Sequence, residues 1–328
     1  MFRVVFLLSI VLFCQNAFAS HVMGGEISYK HLGGTNYQFE LIFYRDCNGA
    51  DVNPVSEQLK VWNNPSLTSI TVNFVSRQDI SPTCSPVAGS PGPLLCGTGS
   101  NGGNGQGAVE KVVYRSASVS LTGVPPANGW IFTYENFSRS NTVSNLMNPA
   151  NYGITLAAKI FHLDTPDDSP VFFQDPHFVS CAGTPYTFNG NAIDPNLDSL
   201  VFSFGIPYNN IQGASYNPPV DPIPVPFEIG FSAINPTPNQ SLNPGNIPAS
   251  LNPVSGELTF TCVNIGNYVV KVLVKSYRQG ILISEVEREM QLIVMPCVGT
   301  NNPPQINGPF AGLFETTVTA GSLVNFNL

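Results

Sequence analysis

Asp194, Asn196 and Asp198 stand at alternate positions in the run Asp194-Pro195-Asn196-Leu197-Asp198. Of all the residues in this chain, these three have the types and spacing best suited to chemistry, and the chemistry is that of a hard cation. Calcium takes about six to eight oxygen ligands from carboxylates, amides and backbone carbonyls. The EF-hand pattern is incomplete, because Gly205 stands where the bidentate Glu that closes such a loop belongs. The remaining ligands would come from backbone or from a neighbouring module. The competing reading is a plain turn in which Asp and Asn bond their own backbone. The residues that follow, Ser199-Leu200-Val201-Phe202-Ser203-Phe204, alternate as a half-buried strand does. A turn able to hold a cation therefore runs straight into a sheet.

Other chemistry is thinly represented. His21, His31, His162 and His177 are scattered without metal-ligand spacing. No Gly-x-Ser-x-Gly elbow and no His-Glu-x-x-His occurs. Asp167 and Asp168 are neighbours in sequence and would point apart on an extended chain, which makes them poor partners for glycoside hydrolysis. Gly97-Thr98-Gly99-Ser100-Asn101-Gly102 matches the letters of the dinucleotide fingerprint. It follows Cys96 and leads into more Gly and Asn, where a nucleotide site needs a buried strand and then a helix, so it reads as a loop. Trp62 and Trp130 are the candidate ligand-binding side chains, able to stack on a sugar face, with core packing as the alternative.

The elements that must carry these residues are strands. Gly and Pro number 29 each, while charged residues make up only 10% of the 328. Hydrophobic residues reach 43%, enough for a sizeable core in about two domains. Alternation predicts a hairpin either side of Gly33-Gly34-Thr35-Asn36. Further strands are predicted at Leu59–Trp62, Ser69–Val75, Val109–Leu121, Trp130–Tyr134 and Ile154–Leu163. A second set follows at Tyr186–Phe188, Leu200–Phe204, Glu257–Cys262, Asn267–Tyr277 and Ile281–Met295, the last two joined across Arg278-Gln279-Gly280. The stretch from Tyr208 to Pro253, rich in Pro and Asn, reads as a long loop insertion, functional or merely tolerated. No long helical period appears, which favours β-sandwiches over an α/β fold.

The first nineteen residues read as a signal peptide: Arg3, the apolar run Val4–Phe13, then Ala17-Phe18-Ala19 before the expected cleavage. No later stretch is long and apolar enough for a membrane helix. Losing Cys14 leaves Cys47, Cys84, Cys96, Cys181, Cys262 and Cys297, an even set that suggests disulfides in an exported protein. Cys84 with Cys96 is the simplest pair, since they bracket a Pro- and Gly-rich loop; a free Cys47 or Cys262 is the alternative to full pairing. The net charge of −8 and the scarcity of Lys and Arg exclude nucleic acid as a natural partner. Residues 20–175 and 176–298 then form two modules. Ala320-Gly321-Ser322-Leu323-Val324-Asn325-Phe326-Asn327 echoes Ala182-Gly183-Thr184-Pro185-Tyr186-Thr187-Phe188-Asn189, so residues 299–328 read as a linker and the start of a third, truncated module.

Several segments resemble modular surface proteins of gliding bacteria that carry cadherin-like or Ig-like repeats. These are Ser20-His21-Val22-Met23-Gly24-Gly25-Glu26-Ile27-Ser28-Tyr29, Phe43-Tyr44-Arg45-Asp46-Cys47 and Asp168-Ser169-Pro170-Val171-Phe172. Ala192-Ile193-Asp194-Pro195-Asn196-Leu197-Asp198-Ser199-Leu200 is similar to the acidic turn of such repeats, with Asn196 and Leu197 replacing the usual Asp and Gly. Asn252-Pro253-Val254-Ser255-Gly256-Glu257-Leu258 resembles their Asn-Pro-x-Thr-Gly turn. The resemblance implies an all-β protein of tandem sandwich modules, exported by type IX secretion and outer-membrane associated, with further modules in the same longer chain. It implies a structural or adhesive role against a cell-surface protein or glycan, with calcium at Asp194, Asn196 and Asp198, and no enzyme activity. The alternative is a carbohydrate-binding module of a larger secreted enzyme, with Trp62 and Trp130 as its platform.

Overall fold

The computed structural model describes residues 22–297 except 53, 83–92, 138, 163–165, 212–215 and 218–220, together with residue 317. The expected signal peptide, Cys84, and the echo at 320–327 lie outside the described residues. Within them the chain is all-β. In order, the strands are β1 (Val22–Gly33), β2 (Asn36–Asp46), β3 (Ser56–Trp62), β4 (Ser69–Asp79), β5 (Val109–Ser116), β6 (Val119–Ser120), β7 (Trp130–Asn136) and β8 (Ile154–Ile160). A short 3-10 turn, Pro149–Asn151, precedes β8. Then come β9 (Val171–Phe172), β10 (Val179–Cys181), β11 (Pro185–Asn189), β12 (Ala192–Ile193), β13 (Ser199–Phe204), β14 (Ile247–Leu251), β15 (Glu257–Thr261), β16 (Gly266–Arg278) and β17 (Ile281–Met295).

The periodicity finds the long strands and the β1–β2 hairpin, whose arms pair from Val22–Arg45 to Gly33–Asn36. It misses β9, β10 and β12, which are too short to show a period. It also misses β14, which lies inside the expected insertion and pairs with β15.

Most strands belong to one 12-stranded sheet. Its pairings close a ring in the order β1-β2-β5-β4-β3-β7-β8-β17 and back to β1. Side chains from opposite walls of the ring meet inside it. Phe39 on β2 lies 4.4 Å from Phe132 on β7, ring centre to ring centre, and Phe43 meets Tyr134 edge to face. The closing strand is β17. Along one edge it pairs with β8 at Ser284–Val286, with β1 at Arg288–Met290, and in parallel with β10 at Ile293–Met295. Along its other edge it pairs with β16 for nearly its whole length. A second, three-stranded sheet, β11-β15-β14, packs its Phe188, Leu258 and Phe260 into the same hydrophobic core, near Phe202 of β13.

The expected boundary between 175 and 176 therefore does not separate two sheets. β17 belongs to the later residues by sequence, yet it completes the ring of the earlier ones, and one core runs through both. Alternation reveals that a segment is a strand; it carries no information about which strand lies beside it.

The ring closes where β1 passes β17 at Gly24 and Gly25. A Cβ at Gly24 would overlap the backbone carbonyl of Glu289, and its φ of +138° is one that side chains rarely adopt. A Cβ at Gly25 would lie 2.5 Å from the carbonyl oxygen of Ile42. Only glycine permits this approach.

The disulfides are Cys47–Cys96 and Cys181–Cys297, and Cys262 is free and buried. Cys96 thus pairs with Cys47, not with Cys84 as the short loop between them suggested. The loop after Leu94 folds back onto the end of β2: Cys47 donates its N–H to Ala108 and Gly103 donates to Cys47. Tertiary docking, not sequence proximity, sets the pair. Cys181–Cys297 ties the end of β17 to its parallel neighbour β10.

Gly24→Ala is expected to cost at least about 2 kcal/mol of stability, because backbone must move to relieve the overlap. Gly33→Ala, also at positive φ but facing open space, is expected to lose only about 1 kcal/mol. Urea unfolding of the two variants measures the difference; equal losses would mean that the β1–β17 approach is not what Gly24 serves.

Candidate functional site

Asp194 begins a tight turn between β12 and β13. Its Oδ1 accepts the N–H of Asn196 at 2.8 Å and of Asp198 at 3.2 Å, and its carbonyl accepts the N–H of Leu197 at 3.1 Å. Leu197 takes φ +65° and is almost wholly exposed, in the place where the resembling repeats have glycine. The three expected cation ligands do not converge. Asn196 turns away, and its Oδ1 accepts the N–H of Asp168 at 2.7 Å. Asp167 takes its place: one carboxylate oxygen from each of Asp167, Asp194 and Asp198 falls within 4.8 Å of the others.

A cation already stands among these carboxylates. Arg278, the last residue of β16, grips Asp198 through both oxygens, each at 2.7 Å, and reaches Asp167 Oδ1 at 2.9 Å and the Pro166 carbonyl at 3.2 Å. Such two-pronged pairing suits the planar guanidinium. Asp167 also accepts from the Tyr29 hydroxyl at 3.3 Å. Asp168 points the other way and accepts the N–H of His31 at 2.6 Å, while Ser169 exchanges hydrogen bonds with the backbone of Tyr29. The knot therefore joins the β16–β17 hairpin tip, the Asp194 turn and the 166–169 segment to β1. One oxygen of the buried Asp194, Oδ2, has no hydrogen-bond partner.

Three carboxylates against one guanidinium leave an excess of negative charge. Burial pushes the Asp167 carboxyl up to about 7, and the nearby Asp194 adds to the effect while Arg278 opposes it. Burial also raises Asp194. The Asp167 proton is therefore the means by which the cluster approaches neutrality. Calcium would have to displace Arg278 from Asp198 to enter this cluster.

A second polar cluster lies on the outer face of β17, where Glu285, Glu287 and Glu289 alternate with the core residues Val286 and Met290. Each glutamate has a cation. Lys159 meets Glu285 at 2.8 Å, Lys271 meets Glu287 at 2.7 Å, and Arg139 meets Glu289 at 2.5 Å. Alternation alone assigns such a row to solvent, yet all three glutamates are buried. The Pro- and Asn-rich stretch read as an insertion covers them. Ile211 packs on Trp62, Ile131 and Ala157, and Val225 packs on Val143, Leu146 and Val269. The available signal was the matching row of cations, Lys271 and Lys275 alternating with apolar residues on β16. Between this cover and the strands lies a cavity of about 310 Å³, lined in part by Thr155, Lys159, Tyr208, Tyr216, Glu285 and Glu287.

Neither of the expected sugar-stacking tryptophans presents a ring face to solvent. Trp130 is fully buried within the ring, and Trp62 is buried with its indole N–H donated to Thr133 at 2.8 Å. Trp130 packs in the main core and Trp62 in the smaller outer cluster with Ile131, Ala157 and Ile211. His31 bonds Gly34 and packs on Tyr37, and His177 packs on Phe188. The segment Gly97–Gly102 is a loop closed by the Gly97 N–H on the Gly102 carbonyl, with no helix after it. No helix among the described residues is long and apolar enough to cross a membrane.

Among the described residues the molecule is thus all-β, with two disulfides and several buried ion pairs besides the two clusters above. Comparison with family models, with curated proteins and with solved structures finds no match.

The raised Asp167 predicts an unusual pH dependence. A carboxyl whose folded pKa exceeds its unfolded value near 4 keeps a proton in the fold that the unfolded chain has released. Its contribution to stability is full below about pH 4 and is lost as pH rises to about 7. Asp167→Asn, which mimics the protonated group, is expected to flatten that part of the curve. Thermal melts of both proteins from pH 4 to 8 measure it; parallel curves would sink the assignment.

Proposed function

We propose that this is a non-enzymatic, exported protein of the cell surface, structural or adhesive in role. The single observation that carries the reading is β17, bonded on both edges and bridged through Cys181–Cys297, which makes one continuous sheet of the two halves. A load applied along β17 is shared by backbone hydrogen bonds to four strands at once, which suits a rigid display unit. The two disulfides fit an oxidising compartment. The resemblance to surface proteins of gliding bacteria supports type IX export and outer-membrane association. The core shared by the β11-β15-β14 sheet with β13, β16 and β17 supports an Ig-like or cadherin-like kinship for the later half.

In this reading the Asp167–Asp194–Asp198–Arg278 knot holds the hairpin tip of β16 and β17 to β1. Calcium stiffening remains part of the proposal through Asp194, whose buried Oδ2 offers a free acceptor, and it requires Arg278 to give way.

Two measurements test this. Antibody labelling of intact producing cells is expected to find the protein outside, and recovery only from the cell interior would overturn the surface reading. Thermal unfolding with calcium and with chelator tests the stiffening. A native-state ligand at about a hundredfold excess over Kd adds about 2.7 kcal/mol. An upward shift lost in Asp194→Ala is the expected result, and identical melts with and without calcium would leave Arg278 as the cluster's sole cation.

A further inference from the structure

We infer that the cavity between Tyr208, Tyr216 and the outer face of β8 and β17 is a binding site for one neutral sugar residue of a glycan. The inference deepens the adhesive reading and rests on it for its biological setting.

The floor of the cavity is rigid and polar. Lys159 and Glu285 meet at 2.8 Å, and Lys271 and Glu287 at 2.7 Å. Of these, Lys159 and Glu285 both line the cavity and set a fixed donor beside a fixed acceptor, with the Glu287 carboxylate next to them and Lys271 fully buried behind it. Neighbouring sugar hydroxyls both donate and accept, so a vicinal diol can meet one such pair with both of its groups. Lys159 and Glu285 are the more accessible pair, with side chains 22% and 12% exposed, and lie toward the mouth; Lys271 and Glu287 lie deeper. The Lys271 ammonium is further held by the Thr155 carbonyl at 3.3 Å.

The charges decide against a charged ligand. Both carboxylates of the lining already have cations: Glu285 is paired with Lys159 and, at 3.6 Å, with Lys275, and Glu287 with the fully buried Lys271. An anionic or cationic ligand would compete for one member of a pair and leave the other buried and uncompensated, which is costly. A neutral polyhydroxyl ligand disturbs neither.

The walls supply an apolar surface. Tyr208 lies over the Lys271 ammonium, 4.8 Å from ring centre to nitrogen, and Tyr216 packs against Trp62 at 6.3 Å between ring centres. Both rings are thus positioned before any ligand arrives. Aromatic faces of this kind suit the C–H face of a pyranose, which is apolar although the sugar's rim is polar. The volume of about 310 Å³ is at the lower end of ligand pockets, which run from about 300 to 1,000 Å³, and so suits a single sugar unit. The platform differs from Trp62 and Trp130, which serve here as packing.

The test is a titration of the whole chain, followed by saturation-transfer NMR and calorimetry, with the methyl glycosides of glucose, galactose, mannose and N-acetylglucosamine. Methyl glucuronide and glucosamine serve as anionic and cationic comparators. The expected result is saturable binding of at least one neutral glycoside, about tenfold or more tighter than either comparator. Tyr216→Ala and Glu285→Gln are each expected to weaken it by about tenfold while circular dichroism keeps its native form. Should Glu285→Gln fail to fold, Tyr216→Ala decides. No saturable binding of any neutral glycoside, tighter binding of a charged comparator, or unchanged affinity in a folded Tyr216→Ala would each overturn the site. Surface labelling reads the cell-surface location separately, so a failed titration on a surface-exposed protein sinks the sugar site alone.

Discussion

β17 has strands on both of its edges and packed residues on both of its faces, and the rest of the molecule follows from that constraint. A strand with β16 on one side and β8, β1 and β10 in succession on the other is paired along most of both edges. Three partners on one edge must each end where the next begins. That crowding is why β1 carries Gly24 where it meets β17, since a side chain there would overlap the Glu289 backbone. The close approach and the sheet continuity are one fact seen from two sides.

The same burial explains where the charged residues are. With only 10% charged residues in the chain, it is notable in physical terms that so many of them lie inside. Val286 and Met290 face the ring interior, so Glu285, Glu287 and Glu289 face the other way, and a covering segment then removes them from water. A buried carboxylate without a partner costs several kcal/mol, and each of these has a cation at ion-pair distance. Arg288, on the inner face, is likewise matched by Glu26 and lies over the Phe172 ring. Ion pairs of this kind add little net stability compared with apolar packing, but they are exacting about geometry, and losing one partner is expensive. They hold one register of β17 against its alternatives.

The Asp167–Asp194–Asp198–Arg278 knot obeys the same logic with a different outcome. There the carboxylates outnumber the cation, and burial together with Asp194 pushes the Asp167 carboxyl up to about 7, so that its protonation reduces the excess to one negative charge. A cluster poised in this way is sensitive to whatever supplies positive charge, which links a turn read as a cation loop to an arginine that arrives from a hairpin 80 residues later. On the outer face, by contrast, balanced pairs leave room above them, and that balance is what makes the cavity suitable for an uncharged guest.

Much of the strand content was legible from the sequence alone, because alternation of apolar and polar residues is a local property: β2, β13, β16 and β17 are all plain in it. The turn at Asp194 was legible too, since Asp and Asn bonding to their own backbone needs no distant partner. The partners were not. Asp167 joins Asp194 and Asp198 through space, Asn196 is diverted to Asp168, and Arg278 completes the group from another hairpin. Cys47 reaches Cys96 because a loop docks on β2. Trp130 is buried inside the ring that strands from both ends of the chain close, and Trp62 is buried beneath Ile211 and Tyr216 of the covering stretch. Alternation places Glu285, Glu287 and Glu289 on one side of β17, and the long stretch read as an insertion, functional or merely tolerated, covers that side. Sequence period determines that a residue is on one side of a strand; only the tertiary structure decides what lies against that side, because pairing and covering join residues far apart in the chain and leave no local mark.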